Sequence, residues 1–323
     1  MKSTTLFTLL LTTAGGSAAT LPVPLPREVP QQQQQQQQHR LALLHTLPTG
    51  PSASPSNFRL LAASSASTES TKGGAFLTLP ASSSSSSSAI TSARGTFRVP
   101  AALPPTAGPT AGNPVGVYAA SFWVGIDGAT AACAATLRAG VDVFYDGSFG
   151  GPQRPFAWYQ FSPAAGQGQG ATAVGFEGLA VAEGDVVRLT LEGTQKEVVV
   201  VAENFGANVT GTCVEGLQPV KGSVRKVLAV PEGGAGSGLC GGEAAWVVED
   251  FPLAGLPDFP VALANFTSVT FAGAGVTLGD GTKRGVDGAE VRDVRLQAQG
   301  GRLTSCEVVE GKKVKCTRVV GDN

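Results

Sequence analysis

At 323 residues the chain is long enough to bury a full hydrophobic core, and only 15% of it is charged. Its 43 glycines, 21 prolines and single Met point to a turn-rich all-β protein of one domain with extra sequence in front. The formal net charge of −1, with no basic stripe, argues against a phosphate-backbone partner, so no nucleic acid is expected.

The chain opens with Lys2, the apolar run Leu6-Phe7-Thr8-Leu9-Leu10-Leu11 and the small residues Ser17-Ala18-Ala19. That order is expected of a secretory signal over 1–19, cut after Ala18 or Ala19, and the run is too short to span a bilayer. A floppy N-terminus on a cytosolic protein is the alternative. Five cysteines and two Asn-x-Thr sequons, at Asn208 and Asn265, fit an extracellular, glycosylated product with no membrane partner. Residues 20–67 are rich in Pro, Gln and Ser, including Gln31 to Gln38, and read as a pro-segment without a core. Within it His39 to His45 could form one short helix or belong to a plain linker.

From residue 68 to 323 short strands alternate with Gly, Pro, Asn and Asp. Expected strands include Ala75 to Leu79, Thr96 to Val99, Ser121 to Ile126, Gly140 to Tyr145, Ala157 to Phe161 and Asp185 to Leu191. Further ones are Glu197 to Ala202, Ala245 to Val248, Ser268 to Phe271, Val291 to Gln297 and a hairpin from Leu303 to Val319. Ser82 to Ser88 is expected as a mobile loop. The pattern predicts an all-β, two-sheet antiparallel β-sandwich of the jelly-roll or concanavalin-like kind.

Both histidines, His39 and His45, lie in the expected pro-segment. A mature domain without imidazole excludes a Ser-His-Asp triad, a Cys-His pair and a His-ligated zinc. No metal site and no cofactor are expected, since the Gly-rich pairs read as turns rather than phosphate loops.

Seven segments in order then carry a resemblance. They are Thr71-Lys72-Gly73-Gly74-Ala75-Phe76-Leu77, Thr96 to Pro100, Ser121 to Gly128 (SFWVGIDG), Leu137 to Asp142 (LRAGVD), Ala157 to Pro163, Ala182 to Asp185, and Ala245 to Phe251 (AWVVEDF). With the terminal Cys306 to Cys316 hairpin, they resemble the eqolisin, or glutamic endopeptidase, family. The resemblance implies a sandwich with a concave substrate cleft, made as a secreted precursor. It also implies a Gln and Glu dyad working at acid pH, the Glu as general base and acid, the Gln holding the water and the oxyanion.

The matching positions here are Arg138 and Ala245. Glu243, two residues before Ala245, faces the same side but about 6.5 to 7 Å along the strand. That is a large offset for atoms that must meet within about 3 to 3.5 Å. Arg138 is otherwise expected to pair with Glu243, Asp142 or Asp127, and Ala245 to be a plain core-facing residue. Trp123 and Trp158 either line a peptide cleft or belong to the sandwich core. Asp127 and Asp142 are expected as acceptors that hold the cleft loops, and Gln160 stands where the family often has an acid. Glu249 and Asp250 alternate, so at most one of them faces the cleft.

Cys306 and Cys316 flank a turn and are expected to pair. Cys133 and Cys240 lie five residues before Arg138 and Ala245, and the equal offsets suggest a second bridge, leaving Cys213 as a buried hydrophobe or a reactive thiol. Other pairings remain open. The expected function is a monomeric secreted protein that binds peptide or unfolded protein in the cleft, its endopeptidase activity lost. The alternatives are an active acid endopeptidase using Glu243 and a lectin-like glycan binder.

Overall fold

The structure, a computed structural model, describes residues 69–320 except 80–87, 106–115, 129–132, 134, 148–150, 164–172, 194–195, 231–237 and 252–260. The expected signal, the pro-segment with both histidines, and nearly all of the Ser82 to Ser88 loop lie outside the described residues. Among the described residues no helix is long and apolar enough to cross a membrane.

The strands, in chain order, are β1 (Lys72–Thr78), β2 (Ile90–Arg98), β3 (Val117–Ile126), β4 (Thr136–Asp146), β5 (Gly151–Ser162) and β6 (Val174–Gly175). Then come β7 (Val186–Gly193), β8 (Glu197–Asn204), β9 (Ser223–Ala229), β10 (Glu243–Glu249), β11 (Ala262–Leu263) and β12 (Ser268–Leu278). The last are β13 (Lys283–Arg284), β14 (Glu290–Arg292), β15 (Arg295–Leu296), β16 (Gly301–Arg302), β17 (Thr304–Val309) and β18 (Lys313–Arg318). One sheet runs β14-β1-β10-β3-β4-β5-β6, with β11 lying parallel to the start of β3. The other runs β17-β18-β12-β2-β7-β8-β9, with β13 on β12. These are the two antiparallel layers that the strand pattern predicts.

The layers meet through one set of alternate residues. Ala75 and Leu77 of β1, Phe122, Val124 and Ile126 of β3, Leu137, Ala139 and Val141 of β4, and Ala244, Trp246 and Val248 of β10 all face the opposite sheet. From that sheet come Phe97, Leu189, Val200 and Phe271. Trp246 is fully buried, and its indole N–H donates to the carbonyl of Arg94 on β2 at 2.7 Å, so its one polar atom is satisfied inside the core. Gly95 leaves room for that ring: a Cβ there would sit 3.0 Å from it.

Two features differ from expectation. The strand expected over Val291 to Gln297 breaks at Asp293-Val294, because the Val294 N–H is taken by the Thr304 hydroxyl at 2.8 Å and the Asp293 carboxylate turns to Arg302 at 2.8 Å. Side-chain partners there displace the backbone ladder. The edge strand β9 is one that the sequence reading does not mark. Its residues alternate between exposed and half-buried, so no apolar face announces it.

Candidate functional site

The first sheet has a second buried face, and antiparallel register fixes what lies on it. Phe76 pairs with Ala245, Ala245 with Gly125, Gly125 with Arg138, and Arg138 with Gln160, one row across five strands. The next row is Gly74, Val247, Trp123, Gly140 and Trp158, and the one after it Lys72, Glu249, Ser121, Asp142 and Phe156. Phe76, Trp123, Trp158, Ala245 and Val247 pack together as a cluster separate from the core between the sheets. Trp123 and Trp158 therefore belong to this outer layer, whereas Trp246 is the core tryptophan. Ala245 is not a core-facing residue: it lies in the outer layer under the rings.

Glycine makes the layer possible. A Cβ on Gly125 would lie 2.8 Å from the Trp123 ring, and one on Gly140 would lie 2.8 Å from both Trp123 and Trp158. The rings lie down over glycines and are pinned by acids. The indole N–H of Trp158 donates to Asp142 Oδ1 at 2.7 Å, and that of Trp123 donates to Glu249 Oε2 at 2.7 Å. Asp142 sits mid-strand and positions a ring rather than a loop. Lys72 stands 3.8 Å from Glu249 and 5.9 Å from the Trp123 centroid, and burial holds its pKa below the usual lysine value. Glu249 thus lies on this outer face, while Asp250 turns away and accepts from Gln299 Nε2 at 2.7 Å.

Asp127 closes one end of the face. Its φ of 58° turns the chain after β3, and its carboxylate accepts from the N–H groups of Cys240, Gly241 and Gly242 at 2.7, 2.8 and 2.9 Å. Burial raises its pKa, and these backbone donors oppose the rise. The expected loop-holding role is what the contacts describe. Beside it Cys133 and Cys240 are disulfide-bonded, as are Cys306 and Cys316, which are register partners on β17 and β18. Cys213 is a free thiol and exposed, so the buried alternative does not hold. Asp127, Cys133 and Cys240 lie close enough together to suggest a metal site, but the sulfurs are bonded to each other and the carboxylate is taken by backbone N–H groups.

Arg138 lies on β4 with its guanidinium 4.8 Å from the Trp123 ring centroid and its Nη2 donating to the Gly128 carbonyl at 3.2 Å. Only 5% of it is exposed, and its Nε has no acceptor among the described residues. The expected ion pair with Glu243, Asp142 or Asp127 is not formed. Asp127 is turned to backbone N–H groups and Asp142 to Trp158, while Glu243 stands on β10, two strands away. Glu243 is buried one pair further along β10, opposite Thr78 rather than in the Arg138 row.

A model of the peptidase A4 family matches residues 70–318, most of the chain. The chain belongs to that family. It is 34% identical over 205 residues, or 62% of its length, to aspergillopepsin-2 of Aspergillus niger, and spans 60% of the length of that relative. Among solved structures it resembles scytalido-glutamic peptidase bound to a peptide-based transition-state analogue, at 26% identity and a TM-score of 0.54, over 78% of this chain and 99% of that one. The fold is also that of SCP-B, an eqolisin solved with the tripeptide Ala-Ile-His, at 24% identity and a TM-score of 0.52, over the same shares of the two chains.

For this peptidase A4 member, register unites Arg138, Ala245, Gln160, Trp123 and Trp158 on one face, and Asp127 at its end. It leaves Asp250 on the other side. Sequence reasoning assigned no partner to Lys72 and none to Phe76, which the Arg292 guanidinium covers at 4.6 Å from its ring centroid. Counting in steps of two from Ala245 through β10, and across to β1, would have found both. Chemically, a methyl group cannot take a proton from water, and a guanidinium has donors but no acceptor. Of the two positions, only Arg138 offers hydrogen-bond donors.

Proposed function

We propose that this chain is a secreted peptidase A4 family protein that binds peptide in its cleft and does not cleave it. The single observation that carries the reading is the row Ala245, Gly125, Arg138. It sets a methyl and a guanidinium at the two positions where the resemblance expects a Glu and a Gln. A general base and an oxyanion donor act as a unit, so losing the base at Ala245 costs nearly the whole effect, whatever anion Arg138 could hold. Binding is supported by the tryptophans of the cleft face, which are held by carboxylates in a fixed orientation. Secretion is supported by the two disulfides, which persist in oxidising compartments. On this reading 1–19 is removed as a signal and 20–67 as a pro-segment.

The test is cleavage of acid-unfolded protein by the mature domain. Wild type should show none above background, and the double substitution Arg138→Gln with Ala245→Glu should gain pepstatin-insensitive cleavage at acid pH, with either single change gaining little. Strong wild-type cleavage abolished by Glu243→Gln would overturn the reading in favour of a surrogate acid.

A further inference from the structure

We propose that Arg138 is the receptor for a carboxylate of the bound peptide, so that this cleft selects acidic peptides or free peptide C-termini. The proposal rests on the reading of the face as a peptide cleft and names what that cleft recognises.

Burying a charge is costly unless it is paired and hydrogen-bonded. Arg138 is buried to 95% by its 5% exposure, yet it makes no ion pair among the described residues, and its Nε has no acceptor. The row on which it stands, Phe76, Ala245, Gly125 and Gln160, contains no acid. The neighbouring rows do contain acids, and their side chains are turned elsewhere. Asp127 is held by three backbone N–H groups, Asp142 by the Trp158 indole, and Glu249 by Trp123 and Lys72. Glu243 lies on β10, two strands from Arg138 and outside its row, and no ion pair joins the two.

The guanidinium is also pre-oriented. The Trp123 ring below it and the Gly128 carbonyl at Nη2 fix the fork before any ligand arrives. Little side-chain entropy is then lost on binding. A carboxylate is the planar acceptor that matches such a fork. Across Gly125 in the same row, the methyl of Ala245 adds no charge to repel an anion. The Gln160 amide is the register neighbour on the other side.

The experiment is calorimetric titration of the mature domain with three probes. They are acetyl-Ser-Ala-Phe-Ala-Ser as the free acid, the same peptide as its C-terminal amide, and the amide with Glu replacing the first Ala. Wild type should bind one or both carboxylate-bearing peptides at least about tenfold tighter than the neutral amide. Which of them gains identifies the source as a chain terminus or a side chain. Arg138→Gln should abolish that preference, the three probes then binding alike, and Arg138→Lys should keep only part of it. Equal binding of all three probes by wild type would overturn the proposal and leave the peptide cleft standing. Binding of none would overturn the cleft reading and the proposal with it. The comparison of acid with amide on wild type needs no variant, so it decides even where a variant folds poorly.

Discussion

The two sheets share one core but differ on their outer faces. In the cleft sheet, β3, β4 and β10 are buried on both sides almost end to end. In the opposite sheet β7 and β12 alternate between buried and half-exposed residues, and β9 has a wet outer face. The difference is a second layer of tryptophan rings, glycines and pinned carboxylates laid over the first sheet. The core and the ring layer thereby lie on opposite faces of the same strands, so the outer face can change its charges without touching the core.

The strongest way to test that division is through the two disulfides, one at the end of each sheet. Cys133–Cys240 spans 107 residues of sequence at the cleft end, and Cys306–Cys316 spans 10 within the hairpin of the other sheet. On the chain-entropy model, removing the first by paired Ala substitution should cost about 4 to 5 kcal/mol, about 2 kcal/mol more than removing the second. Urea melts of the two double variants measure the difference. Equal losses would mean that the cleft end is held by Asp127 and its backbone partners alone.

A second test is Gly140→Ala. The new methyl would meet Trp123 and Trp158 at 2.8 Å and the Phe122 carbonyl at 2.9 Å, and the backbone oxygen cannot move aside. A loss of about 1 to 3 kcal/mol is expected from overpacking. It should be accompanied by a change in tryptophan fluorescence, since the Trp158 ring, met at Cζ2, must shift. A variant as stable as wild type would show that the rings are loosely held.

A third prediction concerns Asp250, which follows β10. Burial raises its carboxyl to about 7, against the Gln299 hydrogen bond and the nearby Arg318, which both favour the charged form. An acid whose folded pKa lies above the unfolded value binds more protons when folded, so it favours the folded state at low pH. Stability should fall as pH rises from about 4 to about 7, by an amount on the order of 4 kcal/mol from this group. Asp250→Asn should flatten that slope and raise the melting temperature at neutral pH. A slope unchanged by the substitution would assign the pH dependence to another group.

Much of this was legible in the sequence, for reasons that particular residues make clear. Turn residues and short apolar runs located β1, β3, β4 and β10, and motif order located the cleft strands. The equal offsets of Cys133 and Cys240 gave their bridge, because β4 and β10 run the same way on either side of β3. What could not be read was the face. On a strand buried on both sides, period-two alternation carries no polar signal. Trp123 and Trp246 are then equivalent in sequence, although one lies in the outer layer and the other in the core between the sheets. The unpaired state of Arg138 was equally hidden: three acids lie within reach in sequence terms, and only the backbone and indole contacts of Asp127 and Asp142, and the place of Glu243 two strands away, show that none pairs with it.

The smallest effect isolates the second layer itself, through one substitution made on each sheet. Val247 of β10 is fully buried on the cleft face, between Gly74 and Trp123, whereas Val227 of β9 is 46% exposed opposite Val199. Val→Thr keeps the shape and β-branching and adds one hydroxyl, so propensity and volume nearly cancel. At Val247 the hydroxyl enters an apolar layer and should cost about 1 to 3 kcal/mol. At Val227 water satisfies it, and the change should stay within about 0.5 kcal/mol. Denaturant midpoints of the two single variants give the contrast directly. Equal costs would mean that the outer face of the cleft sheet is as wet as that of its partner, and that the rings do not seal it.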